Sequence, residues 1–209
     1  MRFRSLFSIP VVAVTLILGG CGESSTESAK DSVAAFENAS PAFNDADVTF
    51  AQNMIPHHQQ AVEMAVIALD GARKPSDAVK SLAEKIQKAQ QPEIDLMTGW
   101  LSAWGKDAPA SDDTMDHSQH SMEGDETMAG MAGMAGMMSA DEMKGLEAAS
   151  GPAFDKAWME MMVRHHEGAV VMAKAVQSDG SNAEAKELAG KIITAQEAEI
   201  AEMKTILGV

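Results

Sequence analysis

Met54–Ala65 reads MIPHHQQAVEMA, and Met162–Ala173 reads MVRHHEGAVVMA. Each copy opens on Met, carries a His pair three and four residues on, and has a second Met ten residues after the first. His57, His58 and Met64 therefore correspond to His165, His166 and Met172 at a constant offset of 108 residues. A downstream stretch repeats as well. KIQKAQQPEIDLM (85–97) aligns with KIITAQEAEIAEM (191–203) at an offset of 106, so Gln90, Glu93 and Met97 recur as Gln196, Glu199 and Met203. The change in offset implies a slightly shorter turn in the second copy.

The spacing inside each copy is helical. Phe50, Met54, His57, Ala61, Met64 and Ala68 recur at alternating intervals of four and three and so share one face. Asn44, Asp45 or Asp47 can cap the start, and Asp70-Gly71 is a stop signal. Pro56 lacks an amide proton and crowds the preceding turn, which predicts a kink there or a helix that starts near it. A second helix is expected from Ser76 or Asp77 to about Trp104, with Val79, Leu82, Ile86, Met97, Leu101 and Trp104 on its apolar side. Gln90 and Glu93 fall on that same stripe, where plain packing would not choose them, and Pro92 adds a second expected kink. In the other copy Asp155 is the expected cap, followed by Trp158, Met162, His165, Ala169, Met172 and Val176. Asp179-Gly180 makes the turn, and the last helix presents Leu188, Ile192, Gln196, Glu199, Met203 and Ile206. No stretch shows strand-like alternation. Four amphipathic segments in two hairpins, 45–105 and 151–209, predict an all-α four-helix bundle.

The ends set the location. Arg2 and Arg4 precede an apolar run from Phe7 to Leu18, and LGGC (18–21) follows. Residues 1–20 thus read as an export signal, too short to span a bilayer comfortably. Cys21, the sole cysteine, stands where lipoproteins are acylated, so it is the expected lipidation site and no internal disulfide can form. An ordinary secretory signal with an incidental Cys is the alternative. Residues 21–44 are small and polar, as a tether would be, with a short helical piece expected around Val33–Phe36. Without residues 1–20, Lys+Arg falls from 16 to 14 against 31 Asp+Glu, a net charge of about −17. That balance argues against nucleic acid and against any membrane contact beyond a lipid anchor. It favours cations.

Residues 106–150 form a linker rich in Met, His and Gly. Eight Met lie between Met115 and Met143, with His117 and His120 among them. Interleaved His and Met suggest flexible capture of a soft ion, because thioethers select Cu(I) and imidazole suits several transition metals. A Met-rich helix packed on the bundle is the alternative, since AGMMSADEM has helical character.

All six His lie in the two pairs or in the linker. If a metal binds, His57, His58 and Met64, with His165, His166 and Met172, are the leading ligands. Met54, Met97, Met162 and Met203 stand in reserve. Glu93 and Glu199 are better suited to orienting a ring, although direct ligation of Cu(II) or zinc is open to them. Copper, favoured as Cu(I) over Cu(II), is the metal this donor set suits. The competing account is a buried His–Glu–Gln network that only satisfies a polar core, in a cell-surface structural or interaction module. Carboxylate di-iron spacing, a c-type haem motif, His-Glu-x-x-His and any nucleophile–base arrangement are all absent from the sequence, so no enzyme is expected.

The His-pair motif and the later Q-x-x-E-I-x-x-M (Gln90–Met97, Gln196–Met203) resemble the bacterial "domain of unknown function 305" family over nearly all of 47–105 and 153–208. The resemblance implies a ferritin-like four-helix fold in exported proteins, some of them associated with copper binding or resistance. It carries onto Met54, His57, His58, Met64, Gln90, Glu93 and Met97 and onto their second-half counterparts. Arg164 in place of Pro56, and Gly168 in place of Gln60, break the repeat. The function expected is therefore an exported, membrane-anchored lipoprotein that buffers or delivers copper outside the cytoplasm.

Overall fold

A computed structural model describes residues 42–109 and 134–209. Cys21, the signal segment, the Val33–Phe36 piece, His117 and His120 lie outside the described residues. Within them the chain is all-helical: α1 (Asp45–Leu69), α2 (Asp77–Ala103), α3 (Ala140–Ala148), α4 (Pro152–Asp179) and α5 (Ala183–Leu207). α1 packs along α2 and α4 along α5, and the two hairpins meet chiefly through α1 and α4. None of these helices is long and apolar enough to cross a membrane.

The helix starts follow from local chemistry. The Asn44 side chain accepts from the amides of Ala46 and Asp47, and Asp47 returns a bond to the Asn44 amide. This reciprocal box satisfies donors that a helix start otherwise leaves open. α1 is therefore established well before Pro56 and runs through it, which rules out the alternative of a start near the proline. Asp155 does not cap its own helix as expected. Gly151 holds the N-cap position of α4, with Pro152 at the first turn, while Asp155 accepts from the Ser76 amide of the other hairpin (3.0 Å).

The apolar stripes are buried as the spacing predicts. Met54, Ala61, Met64, Ala68, Trp158, Met162, Ala169 and Met203 are fully enclosed. Ile206, near the last turn of α5, is instead exposed. So many Ala in the interior let the helices approach closely, and the core divides into two end clusters. One joins the start of α1 to the end of α4 through Phe50, Met54, Ala169 and Val176. The other joins the end of α1 to the start of α4 through Met64, Ala68, Phe154 and Trp158. α1 and α4 therefore run antiparallel, and the His pairs sit where they cross.

The linker is not wholly a capture segment. Its last third contains α3, opened by a Ser139–Glu142 capping box, whose Met143 and Leu146 are buried in the second end cluster together with Met138. The Met-rich helix packed on the bundle, the alternative reading of the sequence, describes this part.

Candidate metal centre

Side chains one helical turn apart share a face, so a His at the crossing point of two antiparallel helices meets its repeat partner. The rings of His57 and His165 are 3.7 Å apart between centroids, tilted by 39°. The adjacent residues turn outward to the companion helices. His58 Nε2 lies 2.8 Å from Glu93 Oε2 on α2, and His166 Nε2 lies 2.8 Å from Glu199 Oε2 on α5. Each hairpin thus builds the same His–Glu pair. A fourth contact has no counterpart among the described residues: His57 Nε2 stands 3.2 Å from the carbonyl oxygen of Ala135, in the linker.

These partners fix the tautomers. Carbonyl and carboxylate oxygens only accept, so Nε2 of His57, His58 and His166 carries a proton, and in the neutral ring Nδ1 keeps its lone pair. The Nδ1 atoms of all four rings are buried without a hydrogen-bond partner among the described residues, as is Nε2 of His165. Leaving a buried polar atom unpaired costs about 1–3 kcal/mol, and here five gather in one layer.

Burial also favours the neutral form of three of the rings. It pushes His57 down from 6.5 to about 3, helped by the neighbouring His58 and opposed by the Ala135 carbonyl. His165 lies well below the usual range, first through burial and then through His57, His166 and His58; closeness to the His57 backbone offsets this slightly. His166 is lowered by burial, with Glu199 pulling the other way. Neutral imidazoles with free lone pairs are the form in which His binds a transition metal. The donor chemistry fits a soft or borderline cation.

The thioethers divide into two groups. Met54 and Met162 sit one turn before His57 and His165, on the same faces, and both are fully enclosed. Met54 shares a cluster with Met97, and Met162 shares the other with Met203, so one thioether pair flanks the imidazole layer on each side. Met64 and Met172 lie seven residues past the His, about 10 Å along the helix axis. Met64 packs in the end cluster that contains Trp158, whose indole N–H reaches the Met64 carbonyl (2.9 Å). Met172 lines a groove of about 370 Å³ with Phe50, Asp45 and Asp179. By helical rise, Met54 and Met162 lie closer along the axis to their own His than Met64 and Met172 do.

Glu93 and Glu199, which the sequence placed on the buried stripe, stand at hydrogen-bond distance from His58 and His166. Among the described residues Gln90 and Gln196 do not join the His, and both amide atoms of Gln90 are buried without a partner. Among the described residues no three His, Cys, Asp or Glu side chains stand together at metal-ligand spacing. Glu93 and Glu199 are each paired with a His, which leaves the methionine sulfurs as the further candidate donors among the described residues. The Ala135 carbonyl had no signature in the sequence. The only available signal was the pair of breaks in the repeat, Arg164 and Gly168, which lie beside it.

A family model described as "Domain of unknown function (DUF305)" matches residues 47–207. A DUF305 protein from Streptomyces coelicolor is 36% identical, with 78% of this chain and 92% of that one covered and a TM-score of 0.64. A DUF305 fragment from Deinococcus radiodurans is 28% identical, covering 80% and 99%, with the same TM-score of 0.64. CopM in its Cu(II)-bound form is 30% identical over 76% and 93%, with a TM-score of 0.58. Its Cu(I)-bound form gives 29%, 76%, 93% and 0.56. No curated protein matches the chain.

Proposed function

The chain belongs to the DUF305 family, and from that premise we propose that it is an exported, non-catalytic copper-binding protein. Its cargo is held among His57, His58, His165 and His166, with the sulfurs of Met54 and Met162, and then Met97 and Met203, as the soft donors. The observation that carries this reading is the layer of four buried imidazoles whose Nδ1 atoms have no partner among the described residues. A protein gains nothing by gathering such atoms unless something fills the layer. The existence of CopM in Cu(I)-, Cu(II)- and Ag-bound forms supports copper as that cargo. The Streptomyces coelicolor relative is described as a candidate secreted protein, which supports export. Acylation at Cys21 would place the bundle at the outer face of the cytoplasmic membrane or in the periplasm, where it would buffer or deliver the ion.

The test is metal stoichiometry and affinity for Cu(I), Ag(I) and Cu(II) on the protein from Gly22 onward. Parallel samples carry His57/His58→Ala, His165/His166→Ala, or a deletion of residues 111–133. Loss of tight binding with either His pair supports the bundle as carrier. Loss only with the deletion transfers the role to the linker, and a parent that binds nothing ends the proposal.

One observation favours a second reading, a cell-surface structural or interaction module. Two of the four rings are already paired with carboxylates, and no three acidic or imidazole groups converge among the described residues. That reading expects His57→Ala and His165→Ala to change stability while added copper changes nothing.

A further inference from the structure

We propose that the linker segment Ala135–Met138 is a working part of the imidazole layer: the Ala135 carbonyl orients His57 and makes the two halves of the site unequal. This rests on the copper reading for its consequence, but not for its geometry.

The segment is built in with care. Ala135 O accepts from His57 Nε2 (3.2 Å). The Gln60 side chain brackets Met138, donating to its carbonyl (2.9 Å) and accepting from its amide (2.7 Å), as a neighbouring strand would. The Arg164 guanidinium reaches both the Met138 sulfur and Glu142. Backbone lies directly on backbone. A Cβ at Gly168 would come within 1.9 Å of the Ala135 oxygen, and one at Gly136 (φ +86) within 2.6 Å of the Arg164 carbonyl. Any side chain at 168 therefore expels the strap.

The repeat explains why this matters. Gln60 and Gly168 are each other's counterparts, and the two copies differ there because one must hold the strap and the other must admit it. Arg164, counterpart of Pro56, is a further strap contact. His58 and His166 have matching carboxylates, so the symmetric machinery of the bundle orients only those two rings. For the central pair the strap supplies one acceptor, to His57, whereas among the described residues His165 has no partner at hydrogen-bond geometry and only the nearby His57 backbone beside it. His57 is thereby held as the Nε2–H tautomer with Nδ1 as its one donor atom. An oxygen that fixes the far nitrogen of a ligating ring is worth about 10- to 100-fold in metal affinity.

The experiment uses the full chain without residues 1–20, labelled with ¹⁵N. In the metal-free protein, imidazole spectra should show His57 as a single Nε2–H tautomer with a slowly exchanging proton. Gly168→Ala should release the strap, mix the His57 tautomers and speed that exchange, while circular dichroism keeps the helical signal. Ag(I) and Cu(I) affinity should fall about 10- to 100-fold at unchanged stoichiometry. Gln60→Ala, which removes both bonds to Met138 without adding bulk, should move each readout in the same direction by less. Unchanged tautomer and affinity in both variants would overturn the proposal. So would tighter or faster metal uptake, which would make the strap an obstructing cover. If the parent binds neither ion, the copper reading fails, and the tautomer measurement alone decides whether the strap orients His57.

Discussion

Asp47 accepts a hydrogen bond from the amide of Asn182, 135 residues away in the chain, at 3.0 Å. It also accepts from the Ser181 amide and hydroxyl and from the Asn44 amide, and its residue is fully buried. The repeat mate of this contact is Asp155 on the Ser76 amide. Each hairpin thus lends an aspartate to the start of the other hairpin's second helix, where open amides and the helix dipole favour an anion.

The two aspartates differ in burial, and their replacement should differ accordingly. Asp47→Ala leaves buried donors unpaired and should cost about 3 kcal/mol or more. Asp155→Ala frees an amide that water can reach, and should cost about 1 kcal/mol or less. Urea unfolding of both variants decides this. Equal losses would show that the burial difference has no energetic weight.

Acid should destabilise the metal-free protein before its carboxylates titrate. His57 is held near 3 in the fold and returns to about 6.5 on unfolding. Below 6.5 the unfolded chain takes up a proton that the folded chain refuses, so this stability is full above pH 6.5 and lost as pH falls towards 3. His165 and His166 are shifted in the same direction. Each such ring contributes a slope of up to about 1.4 kcal/mol per pH unit. Urea midpoints at pH 7.5, 6 and 5 should therefore fall steeply. A flat profile would mean the rings are wetter than their burial indicates.

Sulfur and imidazole roles can be separated by a volume-conserving change. Met54→Leu with Met162→Leu should cost less than about 1.5 kcal/mol per site, because shape is nearly kept. Cu(I) affinity should drop well beyond any loss for Cu(II), since thioether selects the softer ion. The same substitutions at Met64 and Met172, two turns from the rings, should leave both affinities near the parent value. Competition titrations against a Cu(I) chelator read the difference. Equal effects at the near and far pairs would sink the assignment of Met54 and Met162.

The sequence made the helices legible because their faces repeat. Phe50 through Ala68, and Trp158 through Val176, mark buried stripes by spacing alone, and the doubled Gln-x-x-Glu placed Glu93 and Glu199 opposite the His. It did not show which Met stand beside the rings. That depends on the antiparallel crossing at His57 and His165, which sends Met64 and Met172 towards opposite ends. Asp155 was misread because its partner lies 79 residues away, beyond the reach of local capping rules. The Ala135 contact was invisible for a simpler reason: any residue offers the same carbonyl.

Glu93 and Glu199 hold equivalent rings but should not be equivalent in effect. Glu199 is 5% exposed and also faces Lys85 at 3.7 Å, whereas Glu93 is 22% exposed. Removing Glu199 leaves His166 with neither nitrogen paired among the described residues in a site closed to solvent, so Glu199→Ala should destabilise by about 2–3 kcal/mol. Glu93→Ala opens a path for water to His58 and should cost about half as much. In the copper-bound protein both substitutions remove the oxygen that orients a ring, and affinity should fall about 10- to 100-fold in each. Thermal melts of the metal-free variants, set beside Cu(I) and Ag(I) titrations, separate the two contributions. If stability drops while metal affinity holds, the carboxylates serve only the fold and the His pairs need another explanation.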